Sequence, residues 1–196
     1  MTHDPRELIE AAARILCEEQ LTDYRQAKLK AAARLGLGPR ASLPDSARVR
    51  DAVIRHQQLF GGQTYLQQLH AMRAAAVSVM RLLAGFDPCL VGGALSGAIT
   101  PAHRVQLQAF SDAAEALDLR LLDLGIRFDS DERVYHYPDG ARVAVPLCCF
   151  TAAGLGVDLA VLPESARRRA PLCPVDGRPF RRARLAEVEA LLAGSA

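Results

Sequence analysis

Gly92 and Gly93 follow the short apolar run "CLV" directly, and Ser96 stands three residues further on. A glycine pair after a strand lets the backbone approach a phosphate closely and exposes N–H groups at the start of a following helix. Ser96 would add a hydroxyl donor to the same turn. Stronger phosphate signatures are missing, since the chain has neither G-x-G-x-x-G nor a P-loop lysine. Nucleophilic chemistry has less to work with. "GALSG" misses the G-x-S-x-G elbow because Ala94 stands two residues before Ser96. His3, His56, His70, His103 and His136 are scattered, and none pairs with a cysteine or serine in a nucleophile motif. Five cysteines with no C-x-x-C spacing and no histidine cluster give no zinc signature, and their odd number argues against a disulfide framework. Phosphate binding or a plain tight turn remains.

The elements that must hold this turn change period halfway along the chain. "PRELIEAAARILCEEQ" puts Leu8, Ala12, Ile15 and Leu16 on one helical face, with Pro5 in the first turn. A second helix follows Thr22 or Asp23 as N-cap and stops at Gly36. A third follows Asp45 or Ser46, and Gly61 and Gly62 interrupt it. A fourth, from about Thr64 to Ala84, carries Leu66, Leu69, Met72, Ala76, Val79, Met80 and Leu83 as a packing stripe. Beyond it come β-type runs: "CLVG", "RVQLQAF", "IRFD", "RVYHY", "ARVAVPLCCF" and "GVDLAVL". One amphipathic helix lies among them, with Asp112 and Glu115 at capping-box spacing and Gly125 at its end. Pro138-Asp139-Gly140 predicts a hairpin, and a last helix spans about 182–192. The order predicts an α+β fold: a helical N-terminal region over 1–85, then a mixed β-sheet with flanking helices and a basic C-terminal segment over 86–196.

From about Phe86 to Pro163 the segment resembles the nucleotidyltransferase superfamily, whose fold is related to DNA polymerase beta. The carrying residues are the strand ending in Gly92-Gly93, the connector, and the strand "RVQLQ". More loosely, the whole chain resembles a proteobacterial branch of that superfamily, with a segment like "DYRQAKLKAAARLG" and an arginine- and proline-rich C-terminus. The resemblance implies an Asp-x-Asp pair on the second strand and a third acid on a later one. Together these hold two magnesium ions for nucleotidyl transfer. Here the pair falls on Arg104 and Gln106, or on Gln106 and Gln108, and neither register supplies an acid. Asp158 in "GVDLAVL" matches the third acid. The resemblance therefore implies nucleotide binding through Gly92, Gly93, Ser96, Arg104, Gln106 and Gln108, with Asp158 as the remaining catalytic carboxylate and Mg2+ as cofactor if activity persists. An arginine repels a metal ion and can instead meet a phosphate directly. The competing expectation is a non-enzymatic interaction or regulatory protein, a pseudoenzyme that keeps the fold for a protein partner or for self-association.

Charge is uneven along the chain. Residues 1–88 carry 12 basic and 9 acidic side chains, 89–163 carry 5 and 9, and 164–184 carry 7 and 2. Arg167, Arg168, Arg169, Arg181, Arg182 and Arg184 make the last segment a candidate for phosphates or an acidic partner. A net charge of +2 lacks the basic excess of a dedicated nucleic-acid-binding domain. Arg25, Lys28 and Lys30 read as an exposed helix face, and Tyr135, His136 and Tyr137 as ordinary strand composition or a base-stacking platform. No apolar run reaches the roughly 18–20 residues of a membrane helix, and "MTHDPRELIE" lacks a signal-peptide core. The expectation is a cytoplasmic protein.

Overall fold

The computed structural model describes residues 4–38 and 41–194; His3 lies outside them. The architecture is α+β, with seven α-helices and one five-stranded mixed sheet among the described residues. Contacts divide the chain into two units. The first holds 1–68 and 97–103, the second 69–96 and 104–196. The division falls at 68/69 rather than 85/86, and a seven-residue segment of the second half belongs to the helical unit.

In the helical unit, α1 (Pro5–Glu18), α2 (Tyr24–Arg34) and α3 (Ser46–Phe60) are each entered through an aspartate. Asp4, Asp23 and Asp45 accept backbone N–H bonds from the first turns, satisfying donors that have no partner within the helix. The core joins Leu8, Ile15 and Leu16 of α1 to Ala27 and Ala31 of α2, Val49 and Val53 of α3, and Ala98. Alanines on α2 let the backbones approach, which explains how so short a helix is held. Polar side chains capture the 97–103 segment. Gln57 Nε2 donates to the Ile99 carbonyl at 2.8 Å, Tyr65 Oη to Gly97 at 2.9 Å and Gln68 Nε2 to Thr100 at 3.0 Å. Lys28 donates to the Pro44 carbonyl and Ser46, and Lys30 pairs with Glu19 at 2.5 Å. The basic side chains Lys28 and Lys30 thus close the unit's own structure.

Helix α4 (Gly62–Leu82) runs from the first unit into the second. Its predicted stripe is buried except for Leu66, which is half exposed. In the second unit β1 (Cys89–Val91), β2 (Val105–Phe110), β3 (Asp129–His136), β4 (Arg142–Ala152) and β5 (Leu155–Leu162) form a sheet in the order β1-β2-β5-β4-β3. Only β2 and β5 are parallel neighbours. β5 is central and almost wholly buried, as its near-continuous apolar sequence requires. The predicted Pro-Asp-Gly hairpin joins β3 and β4, with Gly140 at φ +85° and its N–H bonded to the Tyr137 carbonyl. "IRFD" and "RVYHY" are not two strands; one strand begins at Asp129 and takes in the second.

Three local expectations are corrected. Helix α6 (Ala114–Asp123) has no side-chain cap, because Asp112 accepts the Glu164 N–H at 3.0 Å instead. Helix α7 is Leu185–Ala193, and the residues before it are extended, with Ala183 bridging Leu90 of β1. Tyr135 and Tyr137 are buried, Tyr135 edge-on to Phe180 and Tyr137 under Arg169, so neither faces a base. No helix among the described residues is long and apolar enough to cross a membrane.

His103 Nδ1 lies 2.9 Å from the Thr100 backbone N, a bond only the neutral ring accepts at that nitrogen, and burial holds its pKa below the ordinary 6.5. The unfolded chain takes up this proton at about pH 6.5. The contribution to stability is therefore complete above that pH and lost as pH falls towards the lower folded value, below which the loss levels off. Urea unfolding at about pH 7.5 and 5.5 should show this decline, and His103→Asn should flatten it.

Candidate functional site

Strand register builds the site. Val91, Gln106, Asp158, Cys149 and Asp129 are cross-strand partners in one row over all five strands. Directly paired residues share a sheet face, so Gln106, Asp158 and Cys149 point the same way. Gly92 follows Val91 at the row's end. The turn, the amide strand and the acid predicted as neighbours are therefore brought together.

Asp158 is buried at 8 % exposure, in the middle of the central strand. It is neither an edge residue nor solvated. Two guanidinium groups meet its carboxylate, Arg104 Nε at Oδ1, 2.5 Å, and Arg133 Nη2 at Oδ2, 3.1 Å. The Cys149 thiol lies 3.7 Å from Oδ1. Arg104 is fixed further by Nη2 bonds to the Val157 carbonyl at 3.0 Å and the Phe150 carbonyl at 3.3 Å. Its guanidinium lies against Gly156, where a Cβ would collide with it. Such bonds between charged groups are worth roughly 1.5–3 kcal/mol each when desolvated. Both arginine side chains are partly exposed, 43 % and 34 %, so solvent screens part of that. Burial first, and then Asp158, push the Cys149 thiol above its usual pKa, leaving a protonated and poorly nucleophilic sulfur.

The glycine turn is explained from within. Gly92 has φ +72°, and the Gln106 amide occupies the space a Cβ would need. Helix α5 (Gly92–Ser96) is a single turn, and Ser96 Oγ donates back to the Gly93 carbonyl at 3.4 Å. Gln108 is fully buried and accepts Arg182 Nε at 2.7 Å, so of the two glutamines only Gln106 borders Asp158 directly.

Magnesium requires hard, mostly anionic oxygens. Here the strand beside Asp158 offers amides and a guanidinium, and both Asp158 oxygens already accept from arginine. The residues do not fit the metal. Among the described residues no group of three His, Cys, Asp or Glu side chains is arranged to hold one.

Arg133 and Cys149 were not singled out by the sequence. Counting outward from the Pro-Asp-Gly turn gives the β3–β4 register and could have placed Cys149 in β4, but not the reach of Arg133 across to β5. Of the C-terminal arginines, Arg167 pairs with Asp87 and Glu164, Arg169 with Asp139, and Arg181 with Glu187. All five cysteines are free thiols.

Gly92→Ala should cost about 1–2 kcal/mol from the left-handed backbone alone. The Gln106 amide ends a flexible side chain and can swing aside, so adding Gln106→Ala should recover only a minor part. Denaturant midpoints of the single and double variants measure the split. Compared with known proteins, the chain matches no family model, no curated protein and no solved structure.

Proposed function

We propose that the second unit is a nucleotidyltransferase-like nucleotide-binding module of a cytoplasmic protein, in which two-metal transfer has been lost and phosphate is met by guanidinium groups. The observation that carries this reading is the double arginine clamp on Asp158. The resemblance expects an acid pair on the strand beside that residue, and Arg104 takes the place of one of those acids and sets its charge where a metal ion would neutralise Asp158. Arg104 Nη1 is the donor group of that side chain outside its bonds to Asp158, Phe150 and Val157. With Arg133 it sets two cations against Asp158, with Asp129 at the β3 end of the same row, and Arg104 Nη1 is the group that would meet an anionic phosphate. A nucleotide bound so needs no metal to offset its charge at this point. Gly92, Gly93 and Ser96 would border the ligand rather than grip it.

A second reading, a module that binds a protein partner, is favoured by a different observation in the helical unit. Leu59 and Phe60 at the end of α3 are 75 % and 73 % exposed, with Leu66 half exposed on α4.

The two mechanisms for the second unit differ in sign at Asp158. If phosphate meets the arginines directly, Asp158→Asn removes a competing anion, and nucleoside triphosphates should bind more tightly, unaffected by chelator. If a metal bridges Asp158 to phosphate, the same substitution should abolish binding, and chelator should do so in the native chain. Thermal shift reads both, since saturation at 100 times the dissociation constant adds about 2.7 kcal/mol. A flat response to every triphosphate, with and without magnesium, would sink the nucleotide reading and leave the partner-binding one.

A further inference from the structure

At the other end of β2, four residues or roughly 13 Å along the strand from Gln106, lies a cavity of about 390 Å³ within the second unit. Met80 and Phe110 give it apolar walls, Arg182 and Arg184 give it charge, and Leu185 and Ala186 bring the first turn of α7 to its edge. The volume is that of a small-molecule site.

Its charges are not balanced from within. Arg167 and Asp87 also line the cavity, but they pair with each other, and Arg167 meets Glu164 as well, which leaves Arg182 and Arg184 without a carboxylate. Arg182 is half-buried, stacked over Phe110 at 4.9 Å, and bonded only to neutral acceptors: the Gln108 amide at 2.7 Å, the Ala166 carbonyl at 2.7 Å and the Arg167 carbonyl at 3.5 Å. Its Nη2 is sealed from solvent with no partner, as is Nε2 of the fully buried Gln108 beside it. Burial pulls the Arg182 pKa below its ordinary value, as expected of a cation without a counter-anion. Arg184 makes no ion pair or side-chain hydrogen bond among the described residues, and as N-cap of α7 it has no side-chain oxygen with which to cap the helix. A desolvated guanidinium without an anion is expensive, so the arrangement is complete only with a negative ligand. Phosphate is an anion that satisfies a planar guanidinium group and a helix start together.

We propose that this cavity binds a small phosphate monoester, with Arg184 and the start of α7 facing the phosphate, the uncompensated charge of Arg182 behind them, and Met80 and Phe110 lining the space for a compact organic body. The site is separate from the Asp158 row and does not depend on that reading. A phosphate group alone would leave the apolar walls uncovered.

Phenyl phosphate and inorganic phosphate, at up to about 10 mM in low-salt buffer, serve as probes in thermal-shift and calorimetric titrations of the full chain. Phenyl phosphate should raise the unfolding midpoint more than inorganic phosphate. Arg184→Gln, which touches no internal bond and should unfold at the native midpoint without ligand, should weaken phenyl phosphate binding about tenfold or more. Ala186→Glu, which sets a carboxylate in the first turn facing the same arginines, should block it. Arg104→Gln should leave it unchanged. No protection by either probe overturns the proposal, as does protection that survives both Arg184→Gln and Ala186→Glu. Protection lost in Arg104→Gln alone would assign the anion to the Asp158 row and overturn this site. Equal binding of inorganic phosphate would overturn the ester.

Discussion

A carboxylate in the middle of a buried strand is the constraint around which the second unit is arranged. Asp158 cannot be moved towards solvent without breaking the pairing of β5 with β2 on one side and β4 on the other. Left alone there, its charge would be several kilocalories per mole too costly. The fold answers with Arg104 from the start of β2 and Arg133 from the edge strand β3. These two bonds join the start of β2 and the edge strand β3 to the central strand in one polar cluster, and they fix what that cluster can do. A carboxylate already saturated by arginines is a poor metal ligand. The cations that saturate it retain donor capacity towards an anion.

The same register sets the glycine turn. Because Val91 opposes Gln106, the chain must leave β1 immediately beside that amide, and only a residue without Cβ, at positive φ, passes under it. The glycine pair therefore need not report phosphate at all. Gly156 performs a matching role on the far side, where it lets the Arg104 guanidinium lie against the β5 backbone.

Much of the fold was legible where one local rule dominates. Helix entry at Asp23 and Asp45, the stop at Gly36, the Pro-Asp-Gly hairpin and the change from helical to strand period all follow from short-range chemistry. Features set by distant partners were not. Asp112 has capping-box spacing to Glu115, yet Glu164 claims its carboxylate from 52 residues away. The connector after Ser96 is sequence-adjacent to the sheet but is held by Gln57, Tyr65 and Gln68 of the helical unit, and no pattern in residues 97–103 announces this. For the candidate site, the meeting of Gly92, Gln106 and Asp158 was an expectation carried by the family resemblance. The clamp was not, because it depends on which long side chains reach across strands whose order is unknown from sequence.

Arginine appears at both ends of β2 and plays opposite parts there. At Arg104 the guanidinium is accounted for, with a carboxylate at 2.5 Å and backbone carbonyls closing its fork. At Arg182 the same group has only amide and carbonyl oxygens and a sealed nitrogen with nothing to bond. Neutral acceptors orient a cation but do not offset its charge. The first arrangement is stable in itself and would give up Asp158 only to a stronger anion; the second is incomplete until an anion arrives. Phosphate affinity should therefore be sought first where the arginine lacks a carboxylate, and the position of an arginine near a glycine turn is the weaker guide.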